Sequence, residues 1–137
     1  MLAALLSTVP LLMCMGYFFM GSLPLLVLKH DTPMDARFVR GFFNTYYVAV
    51  VCTAAVPTIS YALVGHPAFS AGMFSIAALA LILRKVVLSH MDGLRTRIES
   101  GDPTAAIAFR HIHVAGMGVN FVQLVALIWS LFHVSAQ

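Results

Sequence analysis

The residues best suited to chemistry lie in Arg110–Gln123, read RHIHVAGMGVNFVQ. Two histidines, an asparagine and a glutamine stand there inside an otherwise apolar segment. On a helix the spacing of His113, Gly116, Asn120 and Gln123 puts them on one face, with Arg110 one turn earlier. A polar stripe on a membrane helix must face protein or water, because lipid leaves it unsatisfied. His90 and His113 are the candidates for a metal pair or a bis-histidine haem b, if they meet at one height on adjacent helices. His111 and His113 cannot share an ion, since helical residues two apart point about 200° apart.

Each candidate also has a plainer reading. Interfacial histidines commonly bond to neighbouring helices, and Asn120 and Gln123 are suited to the same work. Arg84 and Lys85 follow an apolar run, where long basic side chains snorkel to the headgroups. Met13-Cys14-Met15 has soft ligands for Cu(I), but consecutive helical residues diverge and methionine is a common apolar filler.

The elements that must position these groups are membrane helices. The chain has 137 residues, the size of one domain, and is 61% hydrophobic but only 9% charged, against about 25% charged in soluble domains. No soluble fold of this size could enclose so much apolar surface. The pI near 9.2 reflects basic residues flanking apolar segments, which points to membrane topology and away from nucleic acid. Cys14 and Cys52 both lie in apolar runs and read as free thiols. Met1–Ser7 lacks the basic start of a signal peptide.

Four spans are expected, at about 2–28, 42–64, 68–88 and 111–134. Thr32-Pro33-Met34-Asp35 reads as a helix start, with Thr32 as cap and Pro33 in the first position. The second helix therefore begins outside the bilayer, over about 33–41, and Pro57 is expected to kink it. Gly65-His66-Pro67 makes a tight turn. The third helix should outlast its apolar run, because Leu83, Val87, Met91, Leu94 and Ile98 keep the helical period. Asp102-Pro103 restarts the chain, so that about 89–110 forms a second extension outside the bilayer.

All 8 Lys and Arg and all 5 acids lie in or beside the first and third connections. Four spans put those connections on one side, and the positive-inside rule makes that side cytoplasmic. Both termini then face the non-cytoplasmic side, and the expected location is a bacterial inner membrane. Counting residues from the third turn gives His90 and His113 the same height, roughly 17 Å away at about 1.5 Å per residue. Asn44 and Tyr47 reach a similar depth from the start of the second helix, so a cluster of Asn44, Tyr47, His90 and His113 is expected at the inner boundary, joined by Arg40 and Arg110. Arg84 falls deeper, near the height of Asn120.

The spans contain no Asp or Glu, which argues against carboxylate proton relays and sodium-coupled sites. No nucleophile–base pair, phosphate loop or dinucleotide fingerprint is present.

The C-terminal half, from about Arg84 to Leu124, resembles the transmembrane protein 205-like family of four-span proteins of unknown function. The resemblance is carried by Arg95-Thr96-Arg97-Ile98-Glu99-Ser100-Gly101-Asp102, by Phe109-Arg110-His111-Ile112-His113, and by Asn120 and Gln123-Leu124. His113, Gly116 and Asn120 match the family's histidine, small residue and asparagine, although the small residue there is often serine. The resemblance implies a four-helix membrane bundle and brings no activity with it.

The sequence therefore reads as an all-α, single-domain integral membrane four-helix bundle. The leading functional expectation is a non-catalytic subunit or partner-binding module, associating with other membrane subunits or with itself in the lipid bilayer. The alternatives are a haem- or quinone-binding redox protein using His90 and His113, and a small permeation pathway lined by the fourth helix and Arg84.

Overall fold

The computed structural model describes residues 1–135. It is all-helical: α1 is Leu2–Leu25, α2 Pro33–Leu63, α3 Pro67–Glu99 and α4 Pro103–Ser135. Three of the four starts place proline in the first turn, where its missing N–H is no loss. Thr32 caps α2 by accepting from the Asp35 N–H at 3.2 Å, and Asp102 Oδ1 accepts from the Thr104 N–H at 2.9 Å at the start of α4.

The stops are glycine turns. Gly65 and Gly101 have φ of 80° and 83°, a left-handed conformation that suits a residue without Cβ. At each, paired backbone bonds close the helix: His66 N–H to the Tyr61 carbonyl and Gly65 N–H to Ala62, then Asp102 N–H to Arg97 and Gly101 N–H to Ile98. Helix α1 stops at Leu25, three residues short of the expected span, and its last turns tighten through bonds from Leu26, Val27 and Leu28 to residues three back. The helix α2 is continuous through Pro57, and Pro10 and Pro24 are held inside α1.

Helices α1 to α4 form a closed antiparallel ring in chain order, with α2 packed most extensively against α3 and α4 completing the circuit against α1. Helix α3 does continue past its apolar run, and Leu88, Met91, Leu94 and Ile98 bury its inward stripe. The core holds Leu11, Met15, Phe18, Phe43, Tyr46, Tyr47, Tyr61, Met91, Phe109 and Leu127. Large apolar side chains cover the outside as well, among them Tyr17, Leu63, Phe74, Trp129 and Phe132. All four helices are long and apolar enough to cross a membrane, and no more than a third of each apolar stretch is buried within the chain. Such an exterior is what an integral membrane protein presents to lipid.

Candidate functional site: a buried histidine pair and an asparagine bridge

His113 projects from α4 into the bundle and is fully buried, as the stripe spacing requires. Its partner is His30, in the connection between α1 and α2. His30 Nε2 and His113 Nδ1 are 3.1 Å apart. His30 reaches this position through a left-handed backbone, with φ of 58°, a conformation that a non-glycine residue adopts only where its surroundings hold it. The reversal folds the connection under the bundle and buries the imidazole completely. Phe43 and Phe109 close the pocket, with ring centroids 5.4 Å from His113 and 5.7 Å from His30.

The bond between the rings needs one N–H and one lone pair, so the pair can hold at most one extra proton. Burial lowers the pKa of His30, and the nearby Arg110 guanidinium lowers it further. The Leu28 carbonyl, Asp35 and Asp31 act in the opposite direction, the carbonyl without reaching hydrogen-bond geometry at His30 Nδ1. His30 Nδ1 and His113 Nε2 are buried without a hydrogen-bond partner.

Two turns along α4, Asn120 joins three helices. Its Nδ2 donates to the Met15 carbonyl of α1 at 3.2 Å, and its Oδ1 accepts from the Tyr46 hydroxyl of α2. Both ends of the amide are therefore used. Tyr46 stacks on Phe18, with ring centroids 3.8 Å apart, so the bridge sits on an aromatic layer. Gly116 lies between the two polar contacts and admits the Phe43 ring: a Cβ on Gly116 would stand 2.4 Å from Phe43 Cε1.

The other predicted site residues are dispersed. His90 does not face His113. Its Nδ1 bonds to the Val86 carbonyl of its own helix at 2.8 Å, and its side chain is exposed. Equal distance from the α3–α4 turn sets height but not direction around the helix axis; Leu88 and Met91 point inward, and His90 lies between them on the outer side. The structure thus does not assemble the His90–His113 arrangement considered for haem b. Asn44 accepts from Arg84 Nε at 3.0 Å on the α2–α3 seam. Tyr47 is buried against Phe43 and Tyr46. Arg110 is exposed, and Gln123 is half-buried with its Nε2 unpartnered. Arg40 forms a two-pronged bond to Asp92 of α3, at 3.0 and 2.9 Å. Among the described residues no three His, Cys, Asp or Glu side chains gather where they could hold a metal ion.

Sequence reasoning missed His30, Tyr46 and Asp92. Tyr46 carried a signal, because it shares a helical face with Val39, Phe43 and Val50. His30 carried none, since only the left-handed backbone turns it inward. In comparisons with protein-family models, curated proteins and solved structures, no match to this chain is found. The functional reading therefore rests on the side chains themselves.

Proposed function

We propose that this chain is a small polytopic membrane protein that serves as a non-catalytic subunit or partner-binding module. The observation that carries this reading is the Asn120 bridge. Both ends of the amide are spent on neighbouring helices, and His113 is likewise engaged by His30. His113 and Asn120 of the α4 stripe thus work as glue inside the bundle, which supports a packing role over a solute path. The Arg84–Asn44 bond lies on the α2–α3 seam and not on that stripe, so it adds no support to a pathway lined by both. Four-helix architecture is also what the transmembrane protein 205-like resemblance implies, and membership of that family belongs to this proposal.

The proposed orientation places the α1–α2 and α3–α4 connections in the cytoplasm, following their charge. A cysteine at Ala68 should react with an impermeant reagent from outside, and one at Ser100 only from inside, in a chain whose Cys14 and Cys52 are alanine. The reverse pattern would overturn the orientation.

For function, the test is native mass spectrometry of the chain extracted from its own membranes in mild detergent. The expected species is heavier than the 14.9 kDa chain and contains a defined second subunit or further copies. A strictly monomeric chain that conducts solute in liposomes would refute the reading in favour of permeation.

A further inference from the structure

The α2–α3 seam continues past the Arg40–Asp92 pair. In an antiparallel hairpin, moving three residues back on α2 and three forward on α3 leads from that pair to Arg37 and Arg95. Two arginines thus line one cleft where the preceding turn has a cation and an anion. Between them lies a cleft of about 510 Å³, lined by Pro33, Met34, Arg37, Arg95 and Glu99.

Arg37 is exposed and Arg95 half-buried, and neither guanidinium has a close carboxylate partner among the described residues. Among the described residues Arg37 takes part in no hydrogen bond or ion pair. Arg95 Nε is enclosed and lacks a hydrogen-bond partner. Glu99 stands 3.6 Å from it, an ion-pair distance beyond hydrogen-bonding range. That pair also has the arginine N-terminal to the acid, the weaker order for an i,i+4 pair on a helix. Elsewhere at this end Asp92 is committed to Arg40 and Asp102 to Arg97, while among the described residues Asp31 and Asp35 form no ion pair and do not line the cleft. The positive end of the α2 dipole adds to the surplus.

We infer that the Arg37–Arg95 cleft binds a phosphate group, with an anionic phospholipid headgroup as the favoured source. A phosphate offers several acceptor oxygens to two planar forks at once, one of them already in reach of solvent. The height fits. Arg37 lies five residues before Phe42, where α2 is expected to enter the hydrocarbon, or about 7 Å at the helical rise. The headgroup layer extends roughly 5–8 Å beyond the hydrocarbon on each side. Phe38 follows Arg37, is 60% exposed and stands one residue nearer the hydrocarbon, so an apolar side chain lies beside the cleft within the headgroup layer. This inference needs membrane insertion but not the partner-binding reading, and either can fail alone.

The test is native mass spectrometry of the full chain in detergent with equal phosphatidylglycerol and phosphatidylcholine. The wild type should retain phosphatidylglycerol preferentially. Retention should fall about fivefold for each of Arg37→Gln and Arg95→Gln. The paired Arg37→Lys and Arg95→Lys changes should keep part of it. Arg97→Gln, which removes an equal charge already paired with Asp102, should leave it unchanged. A parallel thermal melt with inorganic phosphate, without anionic lipid, separates the sources. Arginine-dependent protection by phosphate with no lipid preference would support the site and assign it to a free anion. Retention unaffected by Arg37→Gln, or lowered equally by Arg97→Gln, would overturn the inference. Arg37 makes no bond in the fold, so its glutamine variant should fold even if the Arg95 variant does not.

Discussion

The two ends of the bundle are held by different forces. At the charged end, side chains bond from one element to another: His30 to His113, Arg40 to Asp92, Arg97 to Asp102, and two turns deeper Asn120 to α1 and α2. At the uncharged end, near the α2–α3 turn and the termini, hydroxyls fold back on their own helices. Thr8 bonds to Leu5, Thr53 to Ala49, Thr58 to Ala54 and Ser130 to Ala126. Among the described residues one side-chain hydrogen bond crosses there, from Ser70 of α3 to the Thr58 carbonyl. Lipid is as apolar as leucine, so burial alone gives little drive for one helix to choose another. Register is therefore set at the charged end, while the other end relies on close packing.

The sharpest way to break this contrast is at Gly116. A valine there would drive its side chain into the fully buried Phe43 ring, and a loss of about 3 kcal/mol is expected in reversible detergent unfolding. Gly118→Ala, which meets nothing within 4 Å, should be close to neutral. Equal effects at the two glycines would mean the charged end is not tightly packed.

Next in size is the histidine pair. His113→Leu leaves His30 Nε2 buried without its partner and should cost about 1–3 kcal/mol. Adding His30→Leu should restore part of that loss, because both polar groups are then gone. A double-mutant cycle with no coupling would show that the rings do not support each other.

A smaller effect should follow pH. His30 has a folded-state pKa below its ordinary value of about 6.5, so the unfolded chain takes up the proton first as pH falls. Stability should be complete above that value and decline as pH drops below it. Asp102 is displaced downward to about 2 by hydrogen bonds from the Thr104 hydroxyl, Arg97 and the Thr104 N–H. Its contribution is present above the ordinary aspartate value near 4 and is lost as pH falls toward about 2. Melting curves between pH 7.5 and 5 should therefore move in the wild type but not in the double leucine variant. Movement in both would assign the loss to another group.

The smallest change is expected at the uncharged end. Ser70→Ala removes its crossing bond and should lower stability by less than about 1 kcal/mol. A loss as large as that from His113→Leu would erase the difference between the two ends.

Much of the scaffold was legible in the chain. Four apolar runs, prolines at Pro33, Pro67 and Pro103, and glycines at Gly65 and Gly101 mark helices by local rules, which require no knowledge of neighbours. The inward face of α4 was legible too, because a buried amide or imidazole at helical spacing can only look into the protein. The α3 stripe through Met91, Leu94 and Ile98 followed from its period alone.

What the sequence by itself determined, then, is which segments are helices and which residues of α4 face inward. Tertiary structure alone decided what those residues meet. Height along a helix can be counted from a turn, but direction around the axis depends on how the neighbours dock. Counting therefore matched His113 with His90, while packing turned His90 outward and brought His30 in its place. The left-handed backbone at His30 has no local signature, because the contacts that hold its ring, His113 and Phe109, come from α4, distant in the chain. Tyr46 and Asn120 stand 74 residues apart in sequence and become partners only when the ring of helices closes.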